Sequence, residues 1–349
     1  MRRRFTGGLP FVLISAVVFF ALREVLGATE IVNAYWQLIL DQAMIITIAS
    51  IGLSIIYGFC GQFSLGQAAF YGLGAYVAGL ISKLYGHGNY GVFLLGLAAA
   101  TLVAGAVAFL IGMPILRLRS DYLGIATMGF GIIVKVLMDY SNKWVPATGG
   151  ATGMTGVPQI AKFPVIFIIF FLVALLVRNL RLSSFGRAWM AVRDDEMAAD
   201  AMGVDTTRVK TLAFVLGCAL AGLAGGLYAH RYPIVHPSSF DFLKSFDFLI
   251  IVVAGGLGSL SGTIVTGIGW VFLLEVLRAV LGQSFIDFRG VLYALALVLV
   301  IIMRPKGLLS GLEWQPLIPR HVPGTTPAAG QAEVATDSSV RGGMPNAGA

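Results

Sequence analysis

Stretches of about twenty apolar residues, almost free of charge, recur along this 349-residue chain and leave it little choice of fold. A helix of that length covers the ~30 Å hydrocarbon core of a bilayer, and a segment surrounded by lipid must satisfy its backbone hydrogen bonds internally. The pattern predicts an all-α, polytopic transmembrane helical bundle of about ten spans. They fall near residues 9–27, 32–57, 64–84, 91–116, 121–140, 163–180, 211–230, 243–259, 262–282 and 286–303. A transmembrane domain over 1–310 is expected, followed by a cytoplasmic tail over 311–349. The tail is too poor in large apolar residues to build a core and is read as disordered.

With 57% hydrophobic and 12% charged residues, a soluble protein and a soluble domain on a single anchor are both excluded. Glycine is abundant at 44 residues, as expected where helices approach closely in lipid without a water-driven force to hold them together. Cys60 and Cys218 lie in apolar stretches and read as packing residues. The net charge of +7 is scattered singly between spans, which argues for topology rather than nucleic acid. If the N-terminus is cytoplasmic, 13 of the 24 Lys and Arg residues lie inside and 8 outside, which supports both termini in the cytoplasm. Arg2-Arg3-Arg4 before Leu9–Leu22 imitates a signal peptide, but no small-x-small cleavage site precedes Glu30, so a retained first helix is expected.

The absent motifs narrow the chemistry. No Gly-Lys pair occurs, so there is no phosphate loop of the Gly-x-x-x-x-Gly-Lys-Ser/Thr type. His87, His230, His236 and His321 have no metal-ligand spacing, so no metal site and no catalytic residues are assigned. Asp41, Lys135, Asp139, Glu275 and Arg278 are the main charges within spans, and the spacing predicts Lys135–Asp139 and Glu275–Arg278 pairs on single helix faces. Asp241, Lys244 and Asp247 recur every third residue and are expected to pair in solvent or to touch a partner.

The hydrophilic stretch 183–210 reads as a short cytoplasmic helix with punctuation. Asp194 or Asp195 can cap it, Gly203 permits the left-handed residue that ends it, and Asp205 or Thr206 can cap the next span. The pattern alone leaves two readings open: a lever received by a partner's groove, and a solvated connection.

Glu196 followed by Ala198-Ala199-x-x-x-Gly203 resembles the coupling loop of bacterial ABC-importer permeases, with Met197 interrupting the usual Glu-Ala-Ala. The blocks Gly58-Phe59-Cys60-Gly61-Gln62-Phe63-Ser64-Leu65-Gly66-Gln67-Ala68-Ala69-Phe70, Gly74-Ala75-Tyr76, Gly186-Arg187-Ala188, Ala201-Met202-Gly203-Val204, Gly255-Gly256-Leu257-Gly258-Ser259 and Arg304-Pro305-Lys306-Gly307-Leu308 resemble the branched-chain amino-acid permease family, M-type subunit. This resemblance implies a permease without an ATPase site of its own, set in the bacterial inner membrane. Its expected partners are a homologous permease or second copy, two cytoplasmic ATPases carrying ATP and Mg, and an external solute-binding protein. It implies ATPase coupling through Arg193, Asp194, Asp195, Glu196, Ala199 and Gly203. Related permeases also serve urea, short amides or aromatic acids, and a stand-alone channel or secondary carrier is the rival of another class.

For the pathway, Gln62, Ser64, Gln67 and Tyr71 are the candidates, because uncharged polar groups at membrane depth must either pair or face a cavity. Helix-to-helix hydrogen bonding is the competing account of the same residues. The run Gly255–Gly262 is too glycine-rich for a regular span and reads as a broken helix or a tight cytoplasmic turn.

Overall fold

The structure is a computed structural model that describes residues 33–86, 88–116 and 120–281, together with positions 291, 295 and 298. The span expected at 9–27, all but those three positions of the span expected at 286–303, and the tail after 310 lie outside these residues. Ten helices follow one another. They are α1 (Ala34–Leu53), α2 (Gln67–Ile81), α3 (Tyr90–Ile115), α4 (Ser120–Asp139), α5 (Phe163–Leu182), α6 (Ser184–Asp194), α7 (Glu196–Ala201), α8 (Thr206–Ala229), α9 (Phe242–Gly255) and α10 (Leu260–Leu281). A two-residue pairing of β1 (Met154–Thr155) with β2 (Ile234–Val235) ties two loops together.

Among the described residues six helices are long and apolar enough to cross a membrane, namely α1 with its continuation to Phe59, α3, α4, α5, α8 and α10. The chain is therefore an all-α, multi-pass membrane protein. The expectation of about ten spans is not reached among the described residues. The crossings expected over 64–84 and 243–259 are not among the six. α2 has 15 residues and runs on into a π-helical turn, Ser82–Gly86, that carries Lys83. α9 has 14 residues, about 21 Å at 1.5 Å per residue and short of the hydrocarbon core. Residues 60–66, before α2, are not helical, and Gly61 takes a φ of 75°.

α1 is the central helix, with 89% of its apolar window buried inside the protein. The outer helices α3, α4, α5 and α10 turn half or more of their surfaces outward. Leu95, Leu102 and Leu110 of α3 are about 70% exposed, as suits a lipid-facing side. Glycines set the inner spacing. A Cβ on Gly225 or Gly74 would overlap a backbone carbonyl across the α2–α8 crossing, and Gly52 and Gly217 block each other in the same way between α1 and α8. The close packing expected from the glycine content is thus localised on α8, which is wedged against α1, α2 and α3.

Loop contacts sort the chain into two ends. At one end Arg193, in the last turn of α6, reaches Gly58 and Gly258. At the other, Lys83 donates to the Ala147 carbonyl (2.7 Å), Arg231 pairs with Asp41 (2.7 Å), and β1 pairs with β2. The Gly255–Gly262 run is a tight turn. Gly256 and Gly258 have φ of 104° and 86°, and the Ser259 hydroxyl accepts from the Gly262 amide at the start of α10.

The charge pairs differ from the helix-face expectation. Lys135 lies 3.7 Å from Asp241, at the head of α9, instead of pairing with Asp139. Glu275–Arg278 does form, at 3.8 Å. Lys244 and Asp247 pair at 2.8 Å, and Asp247 is buried and also accepts from the Trp270 indole, so this pair is not solvated.

Candidate translocation pathway and coupling loop

The coupling stretch folds as two helices. α6 is amphipathic, burying Gly186, Trp189 and Val192, and the Trp189 indole donates to the Val209 carbonyl at 3.2 Å. Asp195 takes φ −158°, which ends α6, and its carboxylate accepts from the Ala198 amide to cap α7. Gly203 at φ 84° closes α7, and Asp205 caps α8 through the Arg208 amide at 3.0 Å. The capping pattern was legible in the sequence. The break between α6 and α7 was not, because a single short helix was expected.

The six expected coupling residues divide by the direction they face. Ala199 is buried against its own protein. Arg193 turns toward the membrane domain, and its guanidinium donates to the Gly58 carbonyl at 3.0 Å while pairing with Asp194. Glu196 pairs with Lys210 at the foot of α8. Outward stand Asp194, Asp195 and two side chains that sequence reasoning passed over. Met197 is 83% exposed and Met202 is 85% exposed. Met197, which interrupts the expected motif, is thus one of two apolar knobs on the face presented to water.

Arg193 rests in a cradle of glycines. A Cβ on Gly61 would stand 2.9 Å from its Cγ, and one on Gly258 would stand 2.8 Å from its Nη1. Both glycines have positive φ, so each is required twice over. Gly58 itself lies in the π-helical turn Ser54–Phe59, where α1 widens before the chain becomes irregular. One arginine therefore joins the coupling stretch to the end of the central helix and to the α9–α10 turn.

The four pathway candidates also separate. The Gln67 amide nitrogen donates to the Ala49 and Gly217 carbonyls (3.0 and 3.2 Å), bridging α1 and α8. The Ser64 hydroxyl accepts from the Gly66 amide, and the next residue, Leu65, donates to Thr127 on α4. The Gln67 nitrogen and the Ser64 hydroxyl are thus bonded to nearby backbone, while the Gln67 Oε1 has no partner among the described residues. Gln62 is 4% exposed, and both its side-chain nitrogen and oxygen lack partners among the described residues. It lines a cavity of about 340 Å³ whose other walls include Cys60, Leu116, Val192, Arg193, Glu196 and Lys210. Burial pushes the Cys60 thiol up to about 12, the opposing effects of Lys210 and Glu196 being smaller. Tyr71, one turn beyond Gln67, lines a second cavity of about 230 Å³ at the opposite end. Between the cavities, Tyr71 packs edge-on against Phe240 and Phe248, with ring centroids 5.5 and 5.6 Å away.

His230 is buried at the end of α8. A carbonyl can only accept, so Nδ1 donates to Gly226 (2.7 Å), and Nε2 is left to accept from the Ser82 hydroxyl at 2.6 Å. Burial lowers its pKa, partly opposed by the Gly226 bond. This is a fastening between the end of α8 and the π-helical turn that follows α2. Among the described residues no group of His, Cys, Asp or Glu could hold a metal ion.

The cavity at Gln62 and the cavity at Tyr71 lie at opposite ends of an all-α, multi-pass membrane protein, an arrangement in keeping with transport. The family model for the branched-chain amino acid transport system permease component matches residues 36–303. The high-affinity branched-chain amino acid transport system permease protein LivM of Salmonella typhimurium is 35% identical over 305 residues, covering 78% of this chain and 69% of the relative. LivM of Escherichia coli is 36% identical over 300 residues, covering 76% and 68%. BraD of Pseudomonas aeruginosa, described in the same words, is 27% identical over 287 residues. No solved structure matches the chain. The chain belongs to the branched-chain amino acid transport permease family, and its work is transport rather than covalent chemistry.

Proposed function

We propose that this chain is the M-type membrane-spanning subunit of an ATP-driven importer for branched-chain amino acids in the bacterial inner membrane. A homologous permease or a second copy completes the membrane part, two cytoplasmic ATPases carry ATP and Mg, and an external binding protein delivers the solute. In this reading α2 and α9, lengthened by their irregular flanks, also cross the bilayer, and the two spans expected outside the described residues bring the total to ten. The Arg193 end faces the cytoplasm, as do both termini, and residues 1–310 form the permease domain.

The observation that carries the proposal is the bond from Arg193 to the Gly58 carbonyl, with Gly258 beneath it. An ATPase that grips the outward face of α6 and α7 at Asp194, Asp195, Met197 and Met202 moves Arg193 with it. Arg193 in turn moves the end of α1 and the α9–α10 turn, which frame the inner cavity at Gln62. Solute entering at Tyr71 passes the aromatic seal, travels along α2 and leaves past Gln62.

The test is leucine uptake into lipid vesicles containing the chain with its partner subunits. Uptake is expected to require both ATP and the binding protein. Met197→Asp with Met202→Asp is expected to release the ATPases while leaving the permease folded. Uptake by this chain alone, without ATP, would replace the importer with a channel or carrier.

A further inference from the structure

Two thioethers stand in water on the face that the importer reading gives to the ATPases. Eight methionines lie among the described residues. Met44, Met138 and Met154 are buried, Met128 and Met190 are half-buried, and Met113 is exposed on α3, a membrane-crossing helix. Met197, in α7, and Met202, the residue after it, are exposed outside any membrane-crossing helix. Around them the stretch from Asp194 to Asp205 has five carboxylates and no base, and Met197 and Met202 are its two exposed large apolar side chains. Carboxylates stay hydrated unless a cation meets them, so the apolar surface that a partner covers here is mainly thioether. Met197 is also where this chain departs from the Glu-Ala-Ala of the coupling loop it resembles.

We infer that Met197 and Met202 form a reversible oxidation site, at which a hydroperoxide releases the ATPases from this chain. The sulfur lone pair of each thioether attacks one peroxide oxygen, and the O–O bond breaks as the S–O bond forms. The departing oxygen takes the proton from the attacking one and leaves as water or an alcohol. Each sulfur loses two electrons and each hydroperoxide gains two. The product, methionine sulfoxide, is polar, and enzymatic reductases return it to the thioether. Its oxygen only accepts hydrogen bonds, so it adds an acceptor to a face already made of carboxylates and needs a donor if a partner is to cover it. Oxidation follows exposure, which sets these two sulfurs apart from Cys60 and Cys218, both buried. The inference rests on the importer reading and adds a regulatory step at its docking face.

The experiment oxidises the permease assembly in lipid nanodiscs with hydrogen peroxide before any ATPase is present. Catalase then removes the peroxide, and affinity for untreated ATPases is measured, while peptide mass spectrometry reads the sulfoxide at each position. One sulfoxide is expected to weaken ATPase binding about tenfold and two about a hundredfold, through the loss of apolar burial at each sulfur. Methionine sulfoxide reductases should restore the affinity, and dithiothreitol, which reduces disulfides and sulfenic acids, should not. Met197→Leu with Met202→Leu keeps the apolar bulk and removes the sulfur, so its affinity after peroxide should stay within about twofold of its own untreated value. Full oxidation at both positions without weaker binding, no oxidation at either, or an equal loss in the leucine variant would overturn the site. If the leucine variant does not assemble, the reductases decide: a loss that dithiothreitol reverses and they do not would refute the proposal. Failure of the importer reading shows separately, as untreated wild-type permease that binds no ATPase, which overturns that reading and the inference resting on it.

Discussion

Removing the Arg193 guanidinium should uncouple ATP hydrolysis from transport without unfolding the permease. A hydrogen bond to a charged donor contributes roughly 1.5–3 kcal/mol when buried. The Arg193 side chain is 32% exposed and shares its charge with Asp194, so a value at or just below the foot of that range applies. About 1–1.5 kcal/mol corresponds to a five- to tenfold shift toward a state in which the coupling stretch is detached from Gly58. With Arg193→Gln, leucine imported per ATP hydrolysed in proteoliposomes should fall about fivefold at saturating binding protein, while ATP hydrolysis persists. Gly258→Ala should reproduce the defect by another route, since its Cβ would stand 2.8 Å from the Arg193 Nη1 at a φ of 86°. Because both changes break one contact, the double variant should be little worse than either single, with a coupling energy of about 1 kcal/mol. Defects that multiply, or an Arg193→Gln coupling ratio within twofold of wild type, would refute the latch.

Three further outcomes follow from the same geometry. Gly225→Val should abolish assembly, because even a Cβ would overlap the Tyr71 carbonyl, whereas Gly131→Ala, with open space around it, should leave yield and thermal stability unchanged; size-exclusion profiles in detergent separate the two. The Cys60 thiol, held near 12 against an ordinary value of 9.0, contributes stability that is complete below pH 9 and is lost as pH rises toward 12. The loss between pH 8 and pH 10 should be absent in Cys60→Ala, as read by thermal unfolding in detergent, and the native thiol should resist maleimide at neutral pH. His230, whose pKa burial lowers, contributes stability that is present above its ordinary value and is lost as pH falls through the folded value; His230→Asn should flatten the acid limb of the unfolding profile.

What was legible in the sequence was whatever depends on near neighbours in the chain. Apolar period and length placed the helices within a few residues, and the Asp195, Gly203 and Asp205 caps act within one turn. Direction and partnership depend on residues far away, and these the sequence hid. Arg193 reads as one coupling residue among six until the Gly58 carbonyl, 135 positions earlier, is seen to accept a hydrogen bond from its guanidinium. Lys135 has Asp139 at helical spacing, yet it meets Asp241 across a helix boundary. The polar residues before α2 looked alike in sequence, and only the neighbouring backbones separate them. Carbonyls of α1 and α8 occupy the Gln67 amide, while nothing among the described residues bonds to Gln62. In lipid, a polar side chain that finds a partner fastens helices, and one that finds none faces a cavity. On that difference rests the proposal that Gln62 lines the route, while the Gln67 nitrogen holds α1 to α8 although its Oε1 has no partner among the described residues; the difference required the fold to be known first.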